Sequence, residues 1–171
     1  MRVMKKKILI TYASKHGGTR EISERISEQF PPGQFDITLQ PVESATSPGD
    51  FDAVILGVAL YMGQWRRKAV KFLKSHNQVL KDRDTWIFLS GPTGEGDPDT
   101  MLEGRKIPSK LNPLIEKVRP NEVKTFHGAL FPDRIGGFEK WIIKKVDAPV
   151  GDFRIWEDIN TWGKSVAAKL Q

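Results

Sequence analysis

The segment SKHGGT, residues 14–19, has the residue types of an anion-binding loop. It stands between a run of strand-forming residues and an amphipathic segment, so its backbone N–H groups and the positive end of a helix would converge on one point. Hydroxyls and a lysine add donors, and two adjacent glycines permit positive φ and close approach of an anion. The candidate residues are Ser14, Lys15, His16, Gly17, Gly18 and Thr19. The alternative is an ordinary turn in which Thr19 caps the helix.

Two further segments carry groups that could enclose a flat ring. In LYMGQW, residues 60–65, Tyr61 and Trp65 flank a glycine, and such aromatic side chains either pack in the core or provide a stacking platform. In SGPTGEGD, residues 90–97, backbone N–H and C=O groups could border a heteroaromatic edge, or the segment could be a simple surface turn. The candidate residues are Ala59, Leu60, Tyr61, Met62, Gly63 and Trp65 near the first of these segments and Ser90, Gly91, Pro92, Thr93 and Gly94 in the second.

The elements that would position these segments alternate along the chain. Buried-strand patterns cover residues 7–13, 35–42, 52–59, 86–90 and 123–130, and helical periodicity covers residues 19–30, 65–75, 109–118 and 156–170. This alternation predicts an open α/β sheet with helices on both faces. Right-handed crossovers bring the carboxyl ends of parallel strands to one edge, where such sheets bind their ligands. Because all three segments follow strands, one pocket would explain them all.

The composition restricts the chemistry. The 171 residues predict a single domain over residues 1–171, and the chain has no cysteine, so any redox chemistry needs a bound cofactor. Neither the Walker fingerprint nor a G-x-G-x-x-G motif follows the first strand, which disfavours ATP and NAD. The three histidines lack metal-ligand spacing and no nucleophile elbow is present. We therefore predict no metal site and no catalytic side chain.

Charge and hydropathy restrict the partners and the location. The net charge of +6 favours an anionic partner, but the basic residues are interleaved with acidic ones along the chain, which argues against nucleic acid. The apolar run behind the basic start MRVMKKK is too short for a signal peptide, and residues 53–63 are too short to span a bilayer. We predict a soluble cytoplasmic protein.

Taken together, the three segments resemble the flavodoxin-like family. SKHGGT is similar to its phosphate loop S/T-x-T-G-x-T, with His16 in place of a Thr, and the other two segments are similar to the loops around the isoalloxazine ring of FMN. The resemblance implies a three-layer α/β sandwich with a five-stranded parallel sheet, bound FMN, Tyr61 or Trp65 stacking on the ring, and Gly63 beside flavin N5. The stretches GALFPDRIGGFEKWIIKKV and GDFRIWEDINTWG resemble more specifically the branch of menaquinone-dependent protoporphyrinogen oxidase.

Two functions follow as expectations from this resemblance. One is an electron carrier that docks to a redox partner protein. The other is an FMN-dependent oxidoreductase, such as a quinone-dependent protoporphyrinogen IX dehydrogenase, which would act on a small organic substrate and a quinone. Basic surroundings stabilise an anionic reduced flavin and raise its potential, which suits a protein that accepts electrons.

The stretch at 132–153 interrupts the regular alternation, and we expect it to lie over the cofactor edge or a partner surface. Within it, FEKWIIKKV predicts a short amphipathic helix. Its aromatic residues and lysines either form a patch for peripheral membrane contact or pack on the sheet.

Overall fold

The centre of the protein is a parallel β-sheet, described here from a computed structural model that covers residues 3–171. The strands are β1 (Lys6–Ala13), β2 (Phe35–Pro41), β3 (Ala53–Tyr61), β4 (Gln64–Trp65), β5 (Asp84–Ser90), β6 (Glu122–Phe126), β7 (Ala129–Leu130) and β8 (Gly151–Asp152). The helices are α1 (Gly18–Ser27), α2 (Arg67–Leu80), α3 (Pro98–Met101), α4 (Asn112–Val118), α5 (Gly137–Lys145) and α6 (Trp156–Lys169). Short 3-10 turns lie at Val42–Ser44, Pro48–Asp50, Ser109–Leu111 and Pro132–Arg134.

The five main strands lie in the order β2-β1-β3-β5-β6, and all of their pairings are parallel. The two-residue strand β4 adds an antiparallel pairing at the end of β3. Helices α1 and α6 cover one face of the sheet, and α2 and α4 cover the other. This arrangement confirms the predicted three-layer α/β fold with five parallel strands.

The central strand β3 explains why the sheet is buried on both faces. Ile55 packs in the core beneath α1 and α6, whereas Val54 and Leu56 pack in the core beneath α2 and α4. Successive side chains of a strand point to opposite faces, so a strand covered on both sides must be apolar throughout. This continuous apolar pattern is what made the strands visible in the sequence.

The strand order reverses between β1 and β3. The chain leaves β1 toward β2 on one side, and β3 lies on the other side of β1. Connections that diverge in this way leave a crevice at the carboxyl ends of the strands. Residues 14–19 follow β1, and residues 60–65 and 90–97 continue from the ends of β3 and β5, so all three segments lie at this edge.

The predicted strand over residues 123–130 is wrong in its second half. The parallel strand β6 ends at Phe126, and β7 pairs with β8 in a separate antiparallel ribbon. The chain leaves the sheet because Gly128 packs against the connection that follows β5. A Cβ atom on Gly128 would lie 3.0 Å from the backbone of Gly91, and its N–H donates to the Pro92 carbonyl at 3.0 Å.

The stretch at 132–153 contains the predicted amphipathic helix, which is confirmed as α5. Among the described residues, none from α5 belongs to either of the two cores. Instead, Ile142 and Ile143 line the cavity at the crevice, so the expectation that this helix packs on the sheet is wrong. No helix within residues 3–171 is both long enough and apolar enough to cross a membrane.

Candidate functional site

An open cavity of about 320 Å³ lies at the crevice between β1 and β3. All three segments singled out in the sequence contribute to its lining, together with Arg66, Leu102, residues 128–130 and part of the stretch at 139–149. The sequence-predicted residues in the lining are Ser14, Lys15, His16, Gly18, Thr19, Ala59, Leu60, Tyr61, Met62, Gly63, Ser90, Gly91, Pro92 and Thr93. The predicted residues Gly17, Trp65 and Gly94 do not line it.

The loop at 14–19 joins β1 to α1 through a left-handed residue. Gly17 has φ 89°, and its N–H donates to Ser14 Oγ at 3.0 Å. No side chain caps α1, so the alternative in which Thr19 caps the helix is wrong; Thr19 is instead buried inside the first turn. The first N–H groups of a helix have no intrahelical acceptor. The positive end of α1 therefore lies at the loop that lines the cavity.

Two arginines from the far end of the chain hold this loop in place. Arg134 Nη1 donates to the His16 carbonyl at 3.3 Å, and Arg154 Nη1 donates to the Gly18 carbonyl at 3.2 Å. Both guanidinium groups also pair with the α1 carboxylate of Glu21. The loop carbonyls are thereby engaged by cations.

The Arg154 side chain is only 3% exposed, and two carboxylates neutralise it. Its Nη2 lies 2.9 Å from Asp152 Oδ2, and its Nη1 lies 3.0 Å from Glu21 Oε2. Burial tends to raise the pKa of Glu21, but hydrogen bonds from Arg134 and Arg154 outweigh it and hold this pKa below its usual value. The hydrogen bond from Arg154 is the main cause that lowers the pKa of Asp152.

A carboxylate of α5 reaches the same loop from the cavity side. Glu139 pairs with Lys15 Nζ, and its Oε2 accepts a hydrogen bond from His16 Nε2 at 2.7 Å. Burial opposes ionisation, yet hydrogen bonds from Lys15 and His16 keep the pKa of Glu139 below its usual value. The structure thus places one negative charge against the loop whose residue types suit an anion.

The second segment forms a tight hairpin between β3 and β4. Tyr61 pairs with Gln64, and the two residues between them, Met62 and Gly63, have φ of 50° and 74°. Positive φ at both central positions is the pattern of a type I′ turn, and it explains the glycine. Lys15 Nζ lies 5.3 Å from the centroid of the Tyr61 ring, so the hairpin contacts the first loop at the cavity. Tyr61 is thereby part of the cavity lining.

Trp65, the second residue predicted to stack on a ligand, does not line the cavity, so this prediction is wrong. Its side chain is 5% exposed and packs in the core beneath α2 and α4. The indole Nε1 donates to the Lys106 carbonyl at 2.7 Å. An amphipathic ring whose N–H is paired and whose body is buried is a core residue.

The third segment is clamped by a histidine that the sequence reasoning did not assign to the site. His127 is buried, and its Nε2 lies 2.5 Å from the Gly96 carbonyl, while Nδ1 lies 3.3 Å from the Pro92 carbonyl. Positive φ at Gly91 and Gly94 lets the backbone curve around this ring. The imidazole therefore helps to hold the segment at 91–96, of which residues 91–93 line the cavity.

One cavity residue carries a cation whose hydrogen-bonding capacity is not used. Arg66 lines the cavity, and its buried Nε has no hydrogen-bond partner within residues 3–171. A buried donor without a partner costs free energy, so it favours a ligand that supplies an acceptor. The arginine adds positive charge to the wall that also contains Tyr61.

Most of the functional residues that the sequence did not reveal share one property. Four of them contact the loops through partners distant in the sequence, as Glu139 does with His16 across 123 positions. Arg66 directly follows the second segment, and Asp152 acts through Arg154. Isolated charged residues have no periodicity or spacing that distinguishes them from surface charges. The set comprises Arg66, His127, Arg134, Glu139, Asp152 and Arg154.

Comparison with known proteins gives one family and a group of similar folds. A family model described as a flavodoxin domain matches residues 9–153. None of the curated proteins searched matches the chain.

Among solved structures, flavodoxin 2 from Bacillus cereus is 21% identical with TM-score 0.57, and the match covers 95% of this chain and 99% of that one. A flavodoxin from the domain Archaea is 13% identical with TM-score 0.56, covering 96% and 98%. The rubredoxin oxygen:oxidoreductase of Desulfovibrio gigas is 13% identical with TM-score 0.59, and 36% of that longer chain is covered. At these identities the likeness establishes the fold.

Proposed function

The chain belongs to the flavodoxin domain family, and from that premise we propose that it is an FMN-binding redox protein that exchanges electrons with a partner protein. FMN is the cofactor of this family. When bound, it supplies the electron-transfer chemistry, and the protein supplies binding, orientation and electrostatics. A cytoplasmic location is part of this proposal.

One observation carries the proposal. Three loops from separate strands converge on a single cavity, and each brings a different chemical capability. The first offers the N-terminus of α1, the second an aromatic ring, and the third backbone groups held by His127. Phosphate, flat ring and heteroaromatic edge are the three parts of FMN that these capabilities match.

The residues of the cavity fit the cofactor. Residues 14–19 would hold the phosphate, with the Ser14 and Thr19 hydroxyls and Lys15 adding to the backbone donors. Residues 59–63 and 90–93 would border the ring, with Tyr61 as the stacking residue and Gly63 as the candidate beside N5. A volume of about 320 Å³ lies at the lower end of the range of about 300 to 1,000 Å³ for ligand pockets.

The protein's own part in the chemistry is electrostatic. Lys15 and Arg66 add positive charge to the lining that contains Tyr61, and Ile142 and Ile143 add apolar surface to it. Excluded water strengthens each charge interaction in the cavity. The chain thus binds, orients and shields a cofactor in surroundings that favour additional negative charge on it.

The choice between carrier and enzyme is the finer part of the proposal. The comparisons give no support to the narrower resemblance to the menaquinone-dependent protoporphyrinogen oxidase branch. Its stretches contain the β7–β8 ribbon, α5 and the start of α6, and supply Arg134, Glu139 and Arg154 to the loop network. Positive charge at the cavity supports electron acceptance but identifies neither a quinone nor a small organic substrate. We therefore put the partner-protein carrier first.

Peripheral membrane contact is a further part of the proposal. Phe138 and Trp141 on α5 are 73% and 57% exposed, and their rings stack with centroids 6.2 Å apart. Lys145 Nζ lies 4.8 Å from the Trp141 ring, so cations flank the aromatic pair. Aromatic residues beside lysines on one helix suit the interface of an anionic bilayer. Sedimentation with vesicles of anionic lipid, compared between the wild type and Trp141→Ala, tests this contact.

The proposed function is tested by loading the protein with FMN and measuring its midpoint potential and turnover. We expect a yellow complex that accepts electrons reversibly and passes them to a partner protein without turning over protoporphyrinogen. Arg66→Gln should lower the potential by about 30 mV for a two-electron couple, equal to about 1.4 kcal/mol, because it removes a positive charge. Turnover of protoporphyrinogen with a quinone would contradict the carrier function and support the oxidase. A protein that stays colourless after loading would contradict FMN binding and therefore the whole proposal.

A further inference from the structure

A second concave surface lies on the far side of the β3–β4 hairpin from the cavity. It is an open groove of about 700 Å³ between α2 and the turn that precedes α4. We name it the α2–α4 groove, and its charged lining residues are Arg67, Lys71, Lys74 and Lys110. The lining contains no acidic residue.

These four cations have no ion-pair partner in the part of the chain that the structure describes. No carboxylate within residues 3–171 lies within salt-bridge distance of any of them, although ten other ion pairs occur in the same part of the chain. Arg67, Lys71 and Lys74 follow one another at helical spacing, so they share one face of α2, and α2 contains no acidic residue. Like charges at this spacing repel one another and weaken the helix by a few tenths of a kcal/mol. An acidic partner would relieve that repulsion.

The floor of the groove is apolar. Val70, Leu111, Leu114 and Trp65 line the groove together with the cations. Apolar and charged side chains that share one concave surface suit a protein interface, in which an apolar side chain is anchored and polar groups surround it. Leu111, Leu114 and Trp65 belong to the core beneath α2 and α4 and expose only their outer edges to the groove, so the charge of the lining is the stronger argument for a partner.

The floor also favours a protein over a nucleic acid. Single-stranded nucleic acids bind by stacking bases on exposed aromatic faces. The only aromatic residue of the groove is Trp65, which is buried and whose N–H is already paired with the Lys106 carbonyl. The groove therefore offers anchoring for an aliphatic or aromatic side chain and no stacking platform.

The groove adjoins the cofactor cavity. Met62 and Gly63 line the cavity, while Gln64 and Trp65, which follow directly in the chain, line the groove. We propose that the α2–α4 groove docks an acidic segment of a partner protein, with an apolar side chain held between carboxylates. That this partner is the redox partner rests on the proposed function; the docking itself does not require the cofactor.

The test uses a charge-reversed pair and a matched control. Lys71→Glu with Lys74→Glu reverses two of the four groove charges and leaves the groove without net charge. Lys164→Glu with Lys169→Glu makes the same change in the net charge of the protein at exposed positions of α6, across the sheet. The probe is a fluorescein-labelled peptide of twelve residues, rich in Glu and with a central Phe, followed by anisotropy. The groove pair should lower affinity about tenfold or more, and the control pair about twofold or less. Lys71→Gln with Lys74→Gln should give an intermediate loss of affinity for the peptide. This milder pair keeps the test valid if the variant with two glutamates does not fold.

Three results would overturn the proposal. One is an equal loss for the groove pair and the control pair. Another is unchanged binding of a peptide whose Phe is replaced by Ser, because the apolar floor would then have no part. The third is tighter binding of a single-stranded oligonucleotide than of the peptide, or tighter binding of anionic vesicles than of the peptide by the Trp141→Ala variant, whose α5 patch is removed. FMN titration of the same variants separates the two proposals: peptide binding lost with FMN binding intact supports docking, and FMN binding absent with peptide binding intact rejects only the proposed function.

Discussion

The two halves of the cavity are built by different forces. The loops after β1, β3 and β5 are carried by strands whose side chains are buried on both faces of the sheet. The stretch from β7 to Arg154 belongs to neither core beneath the sheet and reaches the same cavity through ion pairs of Arg134, Glu139 and Arg154. Hydrophobic burial is insensitive to pH, whereas ion pairs depend on protonation and salt. The first half should therefore be rigid, and the second half should respond to solution conditions.

Arg154→Met should cause the largest loss of stability, because it disrupts the ion pairs of the second half of the cavity. Removing this buried cation leaves Asp152 without its main partner and Glu21 with Arg134 alone. We expect a loss of about 2 to 4 kcal/mol, near the range of 3 to 5 for a fully buried pair. Chemical denaturation measures the change. Arg134→Met is the control, because its side chain is 37% exposed and should cost less than about 1 kcal/mol. Equal losses for the two variants would contradict the assignment of Arg154 as the main link.

Gly57→Ala tests the rigid half. A Cβ atom at this position in β3 would lie 2.4 Å from Phe88 Cζ, so the ring must move within a packed core. We expect a loss of about 1 to 3 kcal/mol, as for other overpacked cores, without a change in its salt dependence. Gly33→Ala is the matched control, since nothing lies within 4 Å of its Cβ position. A loss that grows or shrinks with salt would show that the sheet is not independent of the charge network.

Acid should weaken the second half first. The pKa values of Glu21, Glu139 and Asp152 are lowered in the folded protein, so the unfolded chain binds more protons as the pH falls. Their contribution is present above the unfolded pKa values of about 4 and is lost as the pH drops through the folded values. We expect the contribution of this network to the free energy of unfolding to be constant between about pH 7 and 5 and to decline below about pH 4, and we expect a shallower decline below about pH 4 in Arg154→Met. If the free energy of unfolding declined with the same slope in the wild type and in Arg154→Met, the decline would not come from this network.

Glu139→Gln should have the smallest effect of these variants, a change in the affinity for FMN. The substitution keeps the shape of the side chain but removes the charge that competes for Lys15. We expect FMN to bind about threefold more tightly, equal to about 0.7 kcal/mol for a partly exposed pair. Glu157→Gln on α6 is the control and should leave the affinity unchanged. Weaker binding in Glu139→Gln would mean that the carboxylate supports the loop more than it opposes the anion.

The difference between the two halves of the cavity explains which features could be predicted from the sequence. The loops were found because each follows a continuous apolar strand, a pattern that is local in the chain. Trp65 was assigned to the site because the sequence around a tryptophan at a loop does not show whether its ring stacks on a ligand or is buried in the core. The strand predicted over 123–130 was too long because the close approach of Gly128 to Gly91 is a contact between distant segments. Glu139 and Arg154 were missed because an ion pair leaves no periodic signal.

The central claim is that the loop at 14–19 holds the phosphate of FMN. Titrations of the protein with FMN and with riboflavin, which lacks the phosphate, test it through quenching of flavin fluorescence. The account predicts that FMN binds at least about 100-fold more tightly, equal to about 2.8 kcal/mol. Equal affinity for the two flavins, or no quenching by either, would contradict it.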